Sequence, residues 1–269
     1  MQLYDAIFYR KSIKKYSKKK LSIHMFEEVR NMCGNMEGLD ENIKIKAYPI
    51  LKGDSLKFII KKRHRIVAPH YILLTAKLSE SVEYIEESDE NKKGEKITIK
   101  YFDSVGYAGE ELILKLTEMG LATSWLDNTF NKESVLDFVH LEDNEIPAML
   151  IAFGFPESKD GLFRKEEENI DRKPLKQIAK KVDEKWNDII ECVRLSPSYK
   201  NSQPWRFYQG NEGLNIYFKK DSNEEINQVN MGIALKHFEI ACKHNDIDFK
   251  YEKLDIKDKL RKEYYISVV

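Results

Sequence analysis

The sequence predicts an α+β protein built from two related units, each a small mixed or antiparallel sheet flanked by helices. Apolar residues recur at helical spacing in Val105, Ala108, Leu112, Leu116 and Met119, and again in Val229, Ile233, His237, Ile240 and Ala241. Short apolar runs at 69–75 and 148–153, and the alternating Ile43–Tyr48, have the character of strands. The two helices also echo each other. Gly106-x-Ala108 is followed by Leu121 fifteen residues after its glycine, and Gly232-x-Ala234 by Ile247 at the same interval. Each half adds an earlier helix, a strand after it and a late apolar strand (148–153 and 264–269), the pattern of a duplication and fusion. We divide the chain into a first unit, 1–165, and a second, 166–269.

A chain of 269 residues can bury a sizeable core. Lysine plus arginine equal aspartate plus glutamate at 45 each, so no net field draws the protein toward nucleic acid or a membrane. No apolar run approaches the ~18 residues of a span, and Met1–Arg10 lacks the apolar core of a signal peptide. Cys33, Cys192 and Cys242 are odd in number and widely spaced, which suggests neither a disulfide framework nor a zinc site. A reduced, cytoplasmic protein is expected.

Residues 2–9 form a short helix with Leu3, Ile7 and Phe8 on one side. Arg10-Lys11-Ser12-Ile13-Lys14-Lys15-Tyr16 follows. Alone it is a solvated basic run, but a hydroxyl among cations also suits a phosphate: Arg forks onto its oxygens, Lys adds point charge and Ser donates a short hydrogen bond. Ser22 caps a helix to about Met32, with Phe26, Val29 and Met32 or Cys33 inward, ending in the turn Gly34–Gly38. Ile43–Tyr48 is a strand with one wet face, and 69–75 a central strand covered on both. Lys61–Arg65 is a solvated basic run and Ser79–Glu95 a charged, mobile excursion. Gly106 and Gly109 follow no strand and do not form a dinucleotide-binding glycine pattern; small residues there let another helix approach. The strand Ala148–Phe153 precedes Glu157–Lys173, the best linker by composition.

A helix over Val182–Arg194, with Val182, Trp186, Ile189 and Val193 on one face, leads into Ser-Pro-Ser-Tyr-Lys-Asn-Ser-Gln-Pro-Trp-Arg-Phe at 196–207. Two prolines, three serines and an asparagine make this backbone bent, polar and hydrogen-bonding. A helix exit that only turned would need a single Gly or Asn, so the loop is shaped around something. Trp205–Phe218 forms a strand pair about the turn Gly210–Gly213. His237, on the apolar stripe of the helix over 227–244, is a satisfied core or interface histidine rather than a catalyst.

Pro197-Ser198-x-x-Asn201-x-Gln203-Pro204-Trp205 resembles the loop by which FMN-dependent nitroreductase-family proteins hold one side of their flavin. Arg10-x-Ser12-x-Lys14 is similar to the family's N-terminal Arg-x-Ser-x-Arg/Lys segment, which takes the FMN phosphate and ribityl chain. Gly120–Asn128 resembles the segment whose backbone amide approaches flavin N5, with Asp127-Asn128 where family members often carry Gly. Arg172, two residues before Pro174, falls where the family places a further basic residue near the phosphate. The resemblance thus implies Arg10, Lys11, Ser12, Lys14, Leu126, Asp127, Arg172, Pro197, Ser198, Tyr199, Asn201 and Gln203 as cofactor-binding residues.

Neither a catalytic side chain nor a metal ligand is expected, since a flavin carries the redox chemistry itself and no Ser-His-Asp, Cys-His or metal constellation stands out. The implied activity is that of an FMN-dependent oxidoreductase taking hydride from NADH or NADPH and reducing a small acceptor such as a nitroaromatic or quinone. The alternatives are a flavin-binding sensor or store without turnover, and an interaction protein with vestigial motifs. Typical family members are two-fold dimers with flavins in the interface. The two motifs here fall in different halves, which implies an internal pseudo-dimer, monomeric or weakly homodimeric. One FMN per chain is expected. The first half has Cys33–Gly38 in place of the Pro-Ser loop, and the second has Lys180–Lys185 in place of Arg-x-Ser-x-Lys.

Overall fold

The computed structural model describes residues 2–34, 36–51, 66–78, 101–126, 130, 132–165, 168–211, 213–219 and 223–269. Its centre is a pair of crossing helices, α3 (Tyr101–Glu118) and α5 (Glu224–His244), with a sheet on either side. The first sheet contains β1 (Ile43–Ile50), β2 (His70–Leu78), β3 (Ala122–Leu126) and β4 (Glu145–Gly154), in the order β1-β2-β4-β3 and antiparallel throughout. The second contains β5 (Ala179–Lys180), β6 (Trp205–Gln209), β7 (Leu214–Phe218), β8 (Tyr251–Glu252) and β9 (Glu263–Val268). Its order is β5-β6-β7-β9-β8, with β5 parallel to β6 and the rest antiparallel. Without β5, the second order repeats the first strand for strand.

Helices α1 (Leu3–Tyr9), α2 (Ile23–Gly34) and α4 (Asn187–Arg194) complete the frame. One core packs Ile45, Ile72, Leu74, Ile151 and Phe153 of the first sheet against Val105, Leu112 and Leu116 of α3, and reaches Val229 and Ile233 of α5. A second gathers Trp205, Phe207, Ile216, Ile189, Val193 and Phe238, and includes Ala6 and Ile7. The helix that opens the chain therefore lies in the core beneath the second sheet. Tyr71, Leu73, Leu150 and Ala152 fill a third cluster on the outer face of the first sheet, so β2 and β4 are covered on both sides, as their unbroken apolar runs predict.

The elements differ from the sequence reading mainly at their ends. Helix α3 starts at Tyr101 and α5 at Glu224, where the Asn223 side chain accepts a 3.0 Å bond from the Ile226 amide. Ser22 Oγ likewise accepts from the Met25 amide at 3.3 Å. Helix α4 proper begins at Asn187, behind one 3-10 turn at Glu184–Trp186. Strand β3 and the two-residue strands β5 and β8 carry too little pattern to be found from sequence. Within 157–173, Arg164 is tied to the end of α1. The Arg164 amide donates to Tyr9 O at 2.8 Å and its guanidinium to Phe8 O at 3.0 Å, leaving the side chain 9% exposed. Lys61–Arg65 and Ser79–Glu95 lie outside the described residues. No described helix is long and apolar enough to cross a membrane.

The helix crossing is a backbone-to-backbone contact. A Cβ on Gly106 would stand 2.2 Å from the Val229 carbonyl oxygen, and one on Gly232 would stand 1.9 Å from that of Asp103. Val229 precedes Gly232 by three residues and Asp103 precedes Gly106 by three, so the contact is two-fold symmetric within one chain. In an open helix, Gly→Ala gains about 1 kcal/mol. Here we expect Gly232→Ala to lose about 1–3 kcal/mol, because its methyl meets backbone that cannot swing aside. Urea denaturation measures this, and a stabilised variant would show that the helices can part without cost.

Candidate functional site

A cavity of about 500 Å³ opens beside the helix crossing. Ser12 and Lys14 line it from the N-terminal segment, Ser124, Trp125 and Leu126 from β3, Met149 from β4, and Pro197–Asn201 from the loop after α4. Helix α5 supplies Ile226, Val229, Asn230 and Ile233. Two lysines and no acidic residue are among these lining groups.

The N-terminal segment is fixed as an extra extended strap on the first sheet. Ser12 bridges Thr123 in parallel, the Ile13 amide donates to Thr123 O at 2.9 Å, and the Ser17 amide donates to Phe155 O at 2.9 Å. Extended backbone alternates its side chains, so Ser12 and Lys14 share a side and reach the cavity. Lys11 does not. Its ammonium lies 3.2 Å from Glu168.

The opposite wall is a strained loop. Lys200, Asn201 and Gln203 hold φ of 50°, 55° and 46°, left-handed values that cost non-glycine residues about 1–3 kcal/mol each. Specific bonds hold the shape. The Tyr199 amide donates to Asn230 Oδ1 at 3.0 Å and the Gln203 amide to Ser198 Oγ at 3.0 Å. From 171–173, Arg172 donates to Asn201 Oδ1 at 2.8 Å and to Leu195 O at 3.2 Å, while the Lys173 amide donates to Gln203 Oε1 at 2.7 Å. Asn201 returns a bond to Asp171 O at 2.8 Å. Gln203 is buried and shapes the loop from behind rather than lining the cavity.

Behind Ser12 and Asn201 lies concentrated positive charge. Arg10 is 2% exposed and donates to Ser12 Oγ at 3.4 Å. Burial, then repulsion from Arg10, pushes the Arg164 and Arg172 guanidiniums down to about 10, and burial lowers Arg10 as well. The Nε atoms of Arg10 and Arg172 are buried without a hydrogen-bond partner. Mutually repelling buried cations are costly, and an anion in the cavity would offset that repulsion.

Trp125 connects this wall to the helix pair. Its indole donates to Glu110 Oε2 at 2.8 Å, while Glu110 Oε1 lies 3.0 Å from His237 Nε2. His237 is fully buried, as its place on an apolar stripe predicts.

Of the residues singled out from sequence, Ser12, Lys14, Leu126, Pro197, Ser198, Tyr199 and Asn201 line one cavity. Arg10, Arg172 and Gln203 support it from behind, Lys11 turns away, and Asp127 lies outside the described residues. Sequence reasoning missed Trp125, Met149, Lys200 and Asn230 as wall residues. Asn230 alone left a signal, a polar side chain next to the apolar stripe of α5.

The family model described as "Putative TM nitroreductase" matches residues 90–242, more than half of the chain. A Thermotoga maritima structure described as a "putative nitroreductase" aligns over 100% of this chain and 93% of its own, with 17% identity and a TM-score of 0.59. A Streptococcus pneumoniae nitroreductase family protein aligns over 67% of this chain and 100% of its own, at 16% identity and a TM-score of 0.47. An FMN-dependent nitroreductase from Clostridium difficile aligns over 61% and 90%, at 12% identity and a TM-score of 0.42. No curated protein matches the sequence. With its fold and more than half its length accounted for by that model, this chain belongs to the nitroreductase family of oxidoreductases.

Proposed function

We propose that the protein is an FMN-dependent oxidoreductase that takes hydride from NADH or NADPH and reduces a small acceptor such as a nitroaromatic or quinone. The observation that carries this reading is the pairing of buried, mutually repelling arginines, two with orphaned Nε atoms, with an apolar-walled cavity of about 500 Å³. That volume lies in the range of cofactor pockets. Leu126, Met149, Ile226, Val229 and Ile233 suit a flat ring system, and Arg10, Ser12, Lys14 and Arg172 suit its phosphate and polyol. Bound FMN would supply two-electron chemistry. The chain's own tasks are to grip the phosphate, to pack the ring between β3 and α5, and to keep Ser198, Asn201 and Asn230 as fixed polar contacts. Donor and acceptor would then use the one remaining open face in turn. The protein's place in the nitroreductase family supports the choice of FMN.

We read the chain as an internal pseudo-dimer of units 1–165 and 166–269, working as a cytoplasmic monomer or weak homodimer. The repeated strand order and the symmetric glycine contact support this. The same symmetry supports one FMN per chain. Under the 126-residue spacing of Gly106 and Gly232, the counterparts of Asn230, Ile233 and Trp125 are Ser104, Tyr107 and Tyr251. The Asp40 amide donates to Ser104 Oγ at 3.3 Å, as Tyr199 does to Asn230. Tyr107 and Tyr251, however, are bulky phenols tied to Glu239 and to Leu235 O, where the first site has an isoleucine and its cavity wall.

The purified protein should be yellow, and anaerobic NADH or NADPH should bleach it rapidly; slow bleaching would favour a flavin store. Arg10→Ala removes a charged phosphate donor worth about 1.5–3 kcal/mol, so FMN affinity should fall roughly ten- to hundred-fold. Unchanged affinity by fluorescence titration would take the N-terminal segment out of the site. Reconstitution with excess FMN and desalting should leave one flavin per chain by absorbance. A ratio near two would show that the mirror position also binds.

A further inference from the structure

Glu110 and His237 have no part in the reading above, yet both are wholly buried where α3 meets α5. Their hydrogen bonds determine their proton count. His237 Nδ1 lies 2.9 Å from the Cys192 carbonyl oxygen, which can only accept, so Nδ1 carries hydrogen. Nε2 lies 3.0 Å from Glu110 Oε1, and the other oxygen already accepts from the Trp125 indole. A neutral ring would turn a lone pair toward that carboxylate in a fully buried place, an unfavourable contact between two acceptors. A hydrogen therefore sits between Nε2 and Oε1. Glu110 Oε2 accepts from the Trp125 N–H and Oε1 faces both Nε2 and the Arg10 Nε–H, so the carboxylate has acceptor roles only and the hydrogen is carried by the ring: the pair is imidazolium and carboxylate.

This matters for Arg10. Its Nε lies 3.8 Å from the same Oε1, too far for a hydrogen bond, and has no other partner. His237 holds that oxygen and offsets its charge, so the three groups together retain one net positive charge beside Ser12. We propose that His237 is a positioning residue of the anion site, neutralising Glu110 so that Arg10 remains available to the phosphate. Glu110 in turn anchors Trp125 in the cavity wall. The identity of the anion rests on the FMN reading; the protonation of the pair does not.

The pseudo-symmetric position gives a contrast. There Lys236 stands for Glu110 and Glu111 for His237, and the two meet directly at 2.8 Å, with Glu239 also on Lys236 at 2.6 Å. Lys115 also meets Glu111 and Lys243 meets Glu239, each at 2.6 Å, so every ammonium of that cluster has a carboxylate in direct contact. Beside the cavity, by contrast, the guanidinium stands off from its carboxylate at 3.8 Å.

The proposal makes a signed prediction. Exchanging the imidazolium for a neutral amide in His237→Gln leaves Glu110 to draw on Arg10, and FMN affinity by fluorescence titration should fall about tenfold or more. Glu110→Gln can still accept from Trp125 and donate to a neutral His237, so it should bind FMN within about twofold of wild type or tighter. The double variant should recover wild-type affinity. A histidine that served only in packing would give no such recovery, and a double variant as weak as His237→Gln would overturn the proposal. Nitrogen NMR of the wild-type protein without flavin, at neutral pH, supplies a second arm: both His237 ring nitrogens should be protonated, and an unprotonated one would overturn it even if a variant fails to fold. If wild type binds no FMN, the flavin reading fails, and this arm still decides the charge of the pair.

Discussion

The contact between the backbones of α3 and α5 is the constraint on which the structure depends. With Gly106 and Gly232 at the crossing, each helix meets a carbonyl of the other, and side chains can be accommodated only to either side. That closeness fuses the two cores: Val229 and Ile233 of α5 reach the first, and Tyr107 and Leu114 of α3 reach the second. It also brings the polar residues of both helices, Glu110, Glu111, Lys236 and His237, into a buried seam where each needs a partner from the other helix. The cavity lies beside this seam because α5 supplies both the packing surface and the wall.

Much of this was legible in the sequence, for physical reasons that differ by element. Helical period shows wherever one face is buried, and α3 and α5 are the longest helices. The unbroken apolar run of β2 disclosed a strand covered on both faces. The charged composition of 157–173 hides one tertiary contact, since Arg164 is buried by hydrogen bonds to the carbonyls of Phe8 and Tyr9. Composition does not reveal such a tertiary bond. Helix α1 shows the same limit: its amphipathic face was visible, but not that Ala6 and Ile7 join the core beneath the second sheet. In the site, the family resemblance pointed to Ser12 and Lys14, whose side chains alternate toward the cavity. Lys11, one position before Ser12, points away for the same reason.

The two units share strand order and helix contact but not surroundings. The asymmetry is concentrated at a few positions: Ile233 against Tyr107, Trp125 against Tyr251, and Glu110 with His237 against Lys236 with Glu111. A scaffold held by backbone contact tolerates such changes, because its central contact uses no side chain. One side of the symmetric frame could therefore be packed with phenols while the other kept a cavity, with the crossing unaltered.

The cavity side carries local penalties that the rest of the chain must offset. Lys200, Asn201 and Gln203 sit in left-handed backbone, and Arg10 and Arg172 each bury an unsatisfied Nε. These penalties are offset by apolar burial elsewhere, since the same chain carries three packed clusters. Arg172 couples the two, because its guanidinium both belongs to the cation cluster and bonds Asn201 and Leu195 O at the strained loop. The strained loop and the buried charge are therefore held by one and the same side chain, and a change at Arg172 would be felt by both.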